Sequence, residues 1–115
     1  MKQTELLATT SAASTLTSVP YDLGDQSNFA VQVIFSGGGG NLVGTLTLEA
    51  SADDYPASNF VTVAGSSQAV AASANHVWNV QDAGYRYIRA KWTYTSGTGN
   101  VRISICAKEN VVKGA

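Results

Sequence analysis

Two stretches of this sequence carry a large apolar residue at nearly every second position, and this alternation limits the folds open to the chain more than any other feature. Between Asn28 and Ser36, the residues on one face of an extended chain are Phe29, Val31, Val33 and Phe35. Between residues 101 and 108, the corresponding set is Val101, Ile103, Ile105 and Ala107. A period of two turns one face of a β-strand toward a core and the other outward. Both stretches are therefore predicted to be strands with one buried face.

Further strand signals recur along the chain, and no stretch has the period of a long amphipathic helix. The alternation returns in residues 42–50 and in residues 85–95, where Ile88, Ala90 and Trp92 share one face. Shorter strands are predicted over residues 16–23, 60–63 and 76–80. About six to eight strands at this spacing predict an all-β fold, a two-sheet antiparallel β-sandwich that is jelly-roll-like.

Glycine-rich segments indicate how neighbouring strands connect. Four glycines at residues 37–40 separate two predicted strands, and the sequence SGTGN at residues 96–100 separates two others. Short flexible loops of this kind predict two antiparallel hairpins. Residues 64–75 are small and polar, and they are predicted to form a long connection.

The length of 115 residues fits one domain with one core. Residues 15–115 are predicted to form the β-sandwich domain. Residues 1–14 lack apolar periodicity and are predicted to form a flexible N-terminal arm, which either becomes ordered on a neighbouring subunit or is simply disordered. The first twenty residues contain no continuous apolar run, so we expect neither a signal peptide nor a membrane partner.

Only 13% of the residues are charged, and the formal net charge is −1. Such a chain has no global field to attract nucleic acid or an anionic membrane, so nucleic acid is not expected as a partner. Low charge and a surface rich in Ser, Thr, Asn and Gln suit a domain that is partly covered by copies of itself or by neighbours. We therefore favour a homo-oligomer over a monomer.

The residues with reactive chemistry are few and scattered, which argues against an enzyme. Asp53 and Asp54 fall in a predicted turn without calcium-loop spacing, and His76 has no local nucleophile or recognisable motif. Cys106 is the only cysteine, and it lies thirty positions from the only histidine. The glycine run precedes a strand rather than a helix, so it is not a phosphate-binding loop. We predict no catalytic, metal-binding or cofactor-binding residues.

One set of residues is a candidate surface for a partner or a glycan: Tyr85, Tyr87, Arg89 and Lys91, which share one face of a predicted strand. Six of the seven basic residues lie between Arg86 and Lys113, so positive charge is concentrated in this part of the chain. Tyrosines beside cations could contact a sugar, an acidic neighbour or nucleic acid, and a solvated outer sheet face is the simpler interpretation. Three more aromatic residues could stack on sugar rings or belong to the core: Tyr55, Trp78 and Tyr94.

Residues 44–109 contain the segments GTLTLEASADD and VWNVQDAGYRYIRAKWTYTSGTGNVRISICAKE. In its strand ending at an acidic turn, its Tyr-Arg-Tyr-Ile-Arg strand and its Gly-Thr-Gly turn, this region resembles small β-sandwich structural proteins of bacteriophage virions. Such proteins decorate capsids, build head fibres or form tail modules, and they commonly act as oligomers. The resemblance carries no residue-level function, because the matching positions are strands and turns.

Together these features predict a non-enzymatic virion structural protein, a capsid-associated or decoration protein that docks onto neighbouring subunits. Its expected partners are copies of itself and other virion proteins, and its expected location is the virion, after synthesis in the host cytoplasm. The alternative is a carbohydrate- or receptor-binding β-sandwich module of a phage tail or fibre, with a glycan as its partner.

Overall fold

A computed structural model describes residues 3–24, 26–37, 41–52, 59–71, 75–81 and 85–109. Within these ranges every regular element is a β-strand. The ten strands are β1 (Gln3–Ser11), β2 (Leu16–Thr17), β3 (Tyr21–Asp22), β4 (Gln26–Ser36), β5 (Val43–Ser51), β6 (Val61–Thr62), β7 (Gln68–Ala71), β8 (His76–Val80), β9 (Tyr87–Ser96) and β10 (Asn100–Glu109). The part of the chain that the structure describes has no helix long and apolar enough to cross a membrane.

The strands form two antiparallel sheets that pack as a sandwich. Sheet A has the order β1-β10-β4-β8. In sheet B the short strands β2 and β3 both pair with β9, β9 pairs with β5, and the short strands β6 and β7 both pair with β5. Strands β2 and β3 form one interrupted edge strand of sheet B, and β6 and β7 form the other. Counted in this way, each sheet has four strands, and the chain passes repeatedly from one sheet to the other. This is the arrangement of a jelly roll, so the predicted fold class is confirmed.

The core lies between the two sheets and is built from the alternating apolar faces that the sequence predicts. Phe29, Val31 and Val33 of β4 are buried, as are the apolar residues of β10 from Val101 to Ala107. Trp92 lies at the centre of the core with no exposed surface. Its ring meets the ring of Phe35 edge-on, with 5.2 Å between centroids, and its Nε1–H donates to the carbonyl of Ala12 at 2.8 Å. Trp92 therefore joins both sheets and the segment after β1.

Both predicted hairpins are wrong. Strand β4 pairs with β10 and β8 in sheet A, whereas β5 pairs with β9, β6 and β7 in sheet B. Likewise β9 belongs to sheet B and β10 to sheet A. The glycine-rich connections thus carry the chain across the sandwich. Alternation cannot reveal this, because two strands show the same pattern whether they lie side by side or face each other across the core.

The segment that the sequence predicts as a flexible arm contains an edge strand of the sandwich. Residues 3–11 form β1, which pairs with β10, and Leu6 is buried. The pairing has register shifts between Glu5 and Leu7 and between Leu7 and Thr10, and these shifts break the period of two. The segment therefore lacks visible periodicity although it is part of the sheet. Strand β7 likewise lies in the predicted long connection, and Val70 is the one buried residue of this strand.

A buried serine fills the break in each edge strand of sheet B. Between β2 and β3, Ser18 accepts a hydrogen bond from the backbone N–H of Ala90 on β9 at 2.9 Å. Between β6 and β7, Ser66 accepts one from the N–H of Leu48 on β5 at 3.1 Å and donates to the carbonyl of Val63 at 2.7 Å. Each hydroxyl thus satisfies a central-strand N–H at a point where no ladder partner is available.

Replacing either serine with alanine is expected to lower the free energy of unfolding by about 1–3 kcal/mol, because a buried N–H loses its acceptor. Chemical denaturation of Ser18→Ala and Ser66→Ala measures this loss. Ser67→Ala is the matched control, because Ser67 is exposed beside Ser66, and it should change the stability by less than about 0.5 kcal/mol. Equal effects for Ser66→Ala and Ser67→Ala would contradict the assigned role.

Candidate functional site

The candidate surface lies on the outer face of sheet B, centred on β9. The inner residues of β9 alternate with Tyr87, Arg89 and Lys91, which face outward. On one side of β9 they adjoin β2 and β3, and on the other they adjoin Glu49 and Thr47 of β5. Alternation along one strand therefore located three of the four predicted residues on a common face.

The two tyrosines of the predicted set are not available as exposed stacking platforms. Tyr85 precedes β9, is half-buried and packs against the core. Tyr87 is only 7% exposed, and the guanidinium carbon of Arg86 lies 5.4 Å from its ring centroid. Such a cation over an aromatic face contributes to the local packing of this corner of the sheet. The structure does not bring Tyr85 together with the other three residues.

Arg89 is held by two neighbours on the same outer face. Its Nε donates to Glu49 Oε1 at 2.7 Å, and Glu49 is its direct cross-strand partner on β5. Its guanidinium carbon also lies 4.0 Å from the ring centroid of Phe60. The pair is mostly enclosed, with side-chain exposures of 29% and 13% for Arg89 and Glu49. The charge of Arg89 is thus compensated within the chain.

The same pattern holds for the other arginines that the structure describes. Arg86 Nε lies 3.0 Å from Asp22 Oδ1, and Arg102 Nε lies 2.8 Å from Glu5 Oε2. Acids early in the sequence therefore pair with bases late in the sequence, because the sheets place β3 beside β9 and β1 beside β10. Three of the six basic residues late in the sequence are thus paired with acids by the fold. Among the basic side chains that the structure describes, Lys91 is the one without an ion pair.

These three ion pairs compensate the described arginines, so Lys91 is the one described basic side chain whose charge remains uncompensated for a contact with a phosphate. Two of them, Arg86–Asp22 and Arg102–Glu5, are more than a third exposed at every side chain, so each contributes little to stability. Their role is to make the surface electrically neutral at short range. Apart from Lys91, the described charged residues of sheet B are paired, so its outer face is suited to contacts made by shape and by neutral polar groups such as Thr47.

Asp22 has a lowered pKa, chiefly because its carboxylate accepts hydrogen bonds from Arg86 and also from the backbone N–H of Gly24. A lowered pKa in the folded protein favours folding at pH values above the unfolded value, and this contribution is lost as the pH falls through the folded value. We expect NMR titration to give a midpoint for Asp22 below 3.8. Arg86→Ala should raise this midpoint, and an unchanged midpoint would contradict the assigned cause.

The two other aromatic candidates that the structure describes, Trp78 and Tyr94, are also engaged inside the fold. Trp78 is buried on β8, and its Nε1–H donates to the carbonyl of Ser66 at 2.9 Å. Tyr94 is half-buried, and its hydroxyl donates to the carbonyl of Gly97 at 2.8 Å. Tyr55 lies outside the described residues. In the described ranges, the exposed large apolar side chains are four valines, namely Val19, Val43, Val61 and Val77.

Of the residues considered for reactive chemistry, the structure describes His76 and Cys106, which lie on strands separated by β4. His76 lies on β8, and its buried Nε2 has no hydrogen-bond partner among the described groups. Cys106 is half-buried on β10 as a free thiol. Asp53 and Asp54 lie outside the described residues. In the part of the chain that the structure describes, no three His, Cys, Asp or Glu side chains form a group that could hold a metal ion.

Sequence reasoning missed Glu49 and Phe60 as partners of Arg89. Glu49 is 40 residues away in sequence, and only the β5–β9 pairing brings it opposite Arg89. Once the two strands are paired, the opposite charges at facing positions are a recognisable signal. No local sequence signal identifies that pairing.

No family model matches the sequence, and no curated protein is a significant match. Among solved structures, the chain is similar to the crystal structure of the SPBc2 prophage-derived protein YomS, with a TM-score of 0.59 and 14% sequence identity. The similarity covers 93% of this chain and 92% of that one. At this identity the comparison shows a shared fold along nearly the whole length of both chains.

Proposed function

We propose that this chain is a non-enzymatic structural protein of a bacteriophage particle, a capsid-associated or decoration protein that docks onto neighbouring subunits. The observation that carries the proposal is the likeness of the whole fold to a prophage-derived protein of nearly the same extent. The resemblance of residues 44–109 to small virion β-sandwich proteins supports it independently.

The surface of the sandwich fits a docking role. The described arginines are paired within the chain, and only 13% of all residues are charged. Neutral polar surface can be covered by a neighbour without the large desolvation cost of unpaired charges. The proposed mechanism is therefore stabilisation of an assembly by buried area, with no chemical turnover.

The size of the surface allows a copy to contact more than one neighbour. A specific interface covers about 800 Å² per partner, and the accessible surface of the chain is 6255 Å². One contact therefore occupies roughly an eighth of the surface. Two sheet faces and four edge strands offer separate places for such contacts, and the antiparallel sandwich holds them in fixed relation.

Purification of particles from the phage or induced prophage that encodes the chain tests the proposal. After density-gradient banding and a high-salt wash, we expect the chain to remain with the particles in immunoblots. Loss of the chain from intact washed particles would overturn the proposal. Binding of the purified chain to a glycan array would then direct attention to the carbohydrate- or receptor-binding alternative.

A further inference from the structure

The four edge strands of the sandwich differ in how they are protected against pairing with another chain. Exposed edges pair readily with other strands, and proteins usually block them with charges, prolines, bulges or breaks. In this fold β1 carries the charged Glu5 and two register shifts. The β2–β3 edge is interrupted around Pro20, and the β6–β7 edge is interrupted by the turn at Gly65. Three edges therefore carry a recognisable block.

Strand β8 carries no such block. Its five residues, His76–Val80, include no Lys, Arg, Asp, Glu or Pro, and it pairs with β4 without a register shift. His76, Trp78 and Val80 face the core side, whereas Val77 and Asn79 face outward and are exposed. Val77 is 61% exposed, so an apolar side chain lies at the middle of this edge strand.

Among the described residues, no strand pairs with the outer edge of β8. The N–H of Phe35 donates to Oδ1 of Asn75, so the odd-numbered residues of β4 direct their backbone groups toward β8. In antiparallel pairing, the facing residues His76, Trp78 and Val80 then exchange hydrogen bonds with β4. It follows that the N–H and C=O groups of Val77 and Asn79 point away from β4, toward the open edge.

We propose that β8 pairs in antiparallel fashion with β8 of a second copy of this chain, with Val77 at the two-fold axis. The pairing joins two copies of sheet A into one eight-stranded sheet. Val77 of one copy then faces Val77 of the other. The outward N–H and C=O groups of Asn79 meet the backbone groups of Asn75 in the partner copy. The inference rests on the proposed function in treating the chain as a component that acts through contacts between subunits.

A second copy fits this edge better than an unrelated strand for two reasons. The edge is uncharged, so bringing two identical edges together causes no like-charge repulsion. A two-fold axis also makes each outward donor of one copy meet an outward acceptor of the other, and it covers both exposed valines at once. One symmetric contact between two copies therefore pairs the outward N–H and C=O groups of both β8 strands.

Light scattering after size-exclusion chromatography, from micromolar to millimolar protein, tests the pairing. We expect the wild-type chain to have twice the mass of one chain. Val77→Lys should be monomeric, with the dissociation constant raised at least about tenfold, because a charged edge opposes pairing. Val19→Lys is the matched control, because Val19 is 58% exposed on the segment between β2 and β3, and it should remain dimeric.

A crosslink locates the contact. In a Cys106→Ser background, Val77→Cys should form a disulfide between two copies under mild oxidation, because facing Cα atoms of paired strands are about 4.5–5.5 Å apart. A wild-type chain that stays monomeric throughout, or a Val77→Lys variant as dimeric as the wild type, would overturn the β8 contact. These measurements use the isolated protein, so they test the β8 contact separately from the proposed function. The chain could be monomeric in solution and still remain on washed particles, or dimeric in solution and absent from particles.

Discussion

Replacing Trp92 with alanine is expected to lower the free energy of unfolding by about 3–5 kcal/mol. Trp92 is completely buried, packs edge-on against Phe35 of the opposite sheet and donates to the carbonyl of Ala12. The substitution removes the ring from the centre of the core and leaves that carbonyl without its donor. Since small domains are stable by only about 5–15 kcal/mol, the loss is a large share of the total. Urea denaturation followed by circular dichroism measures it.

Trp92→Phe separates the two parts of this effect. Phenylalanine keeps an aromatic ring in the core but has no N–H, so we expect a smaller cost of about 1–3 kcal/mol. If Trp92→Ala cost less than about 1 kcal/mol, or no more than Trp92→Phe, the central position assigned to this ring would be wrong.

Replacing Gly97 with alanine is expected to cost about 2–5 kcal/mol. Gly97 has a φ of +90° in the connection from β9 to β10, a conformation that side-chain-bearing residues rarely adopt. A Cβ at this position would also collide with the backbone carbonyl of Asn41. Backbone atoms cannot swing aside as a flexible side chain can, so the connection between the sheets would have to move.

Gly65→Ala is the matched control for Gly97→Ala. Gly65 has a similar φ of +77°, but a Cβ there would meet no atom within 4 Å. It should therefore cost only the conformational strain, about 1–2 kcal/mol. Thermal and denaturant unfolding of both variants compare the two costs. Equal losses would mean that the close approach of Asn41 to Gly97 is not important for stability.

The faces of the strands were predictable from sequence because the period of two is a local property. The inward residues of β4, β5, β9 and β10 are buried as predicted, and so is Trp78 on β8. Enough such strands, with no helical period, determine the class of fold. This reasoning needs only the order of residues within each strand, so it does not depend on which strands are neighbours.

Strand pairing was not predictable, because it depends on contacts between distant parts of the chain. The glycines at residues 37–40 and the SGTGN segment look like hairpin loops locally, yet both connect strands in opposite sheets. Strand β1 was missed for a related reason. Its register shifts hide the period, and its place beside β10 depends on residues about 100 positions away.

In the candidate site too, the strand face was predictable from sequence and the partners on neighbouring strands were not. Alternation correctly places Tyr87, Arg89 and Lys91 on one outer face, but Tyr85 lies beyond the start of β9, where the chain bends and the period no longer applies. The pairing of Arg89 with Glu49 changes what the surface offers, from a basic patch to a face on which Lys91 is the remaining unpaired charge among the described residues. That change could not be read from composition, because the two residues lie on strands whose pairing is non-local.

If the chain is a structural component of a phage particle, it must be present in purified particles in many copies. Quantitative mass spectrometry of washed, gradient-purified particles measures its copy number relative to the major shell protein. We predict a constant ratio between preparations that corresponds to many copies per particle, as expected for a subunit that docks on a repeated surface. Particles that contain no copies, or a trace that varies between preparations and falls with each wash, would contradict the account.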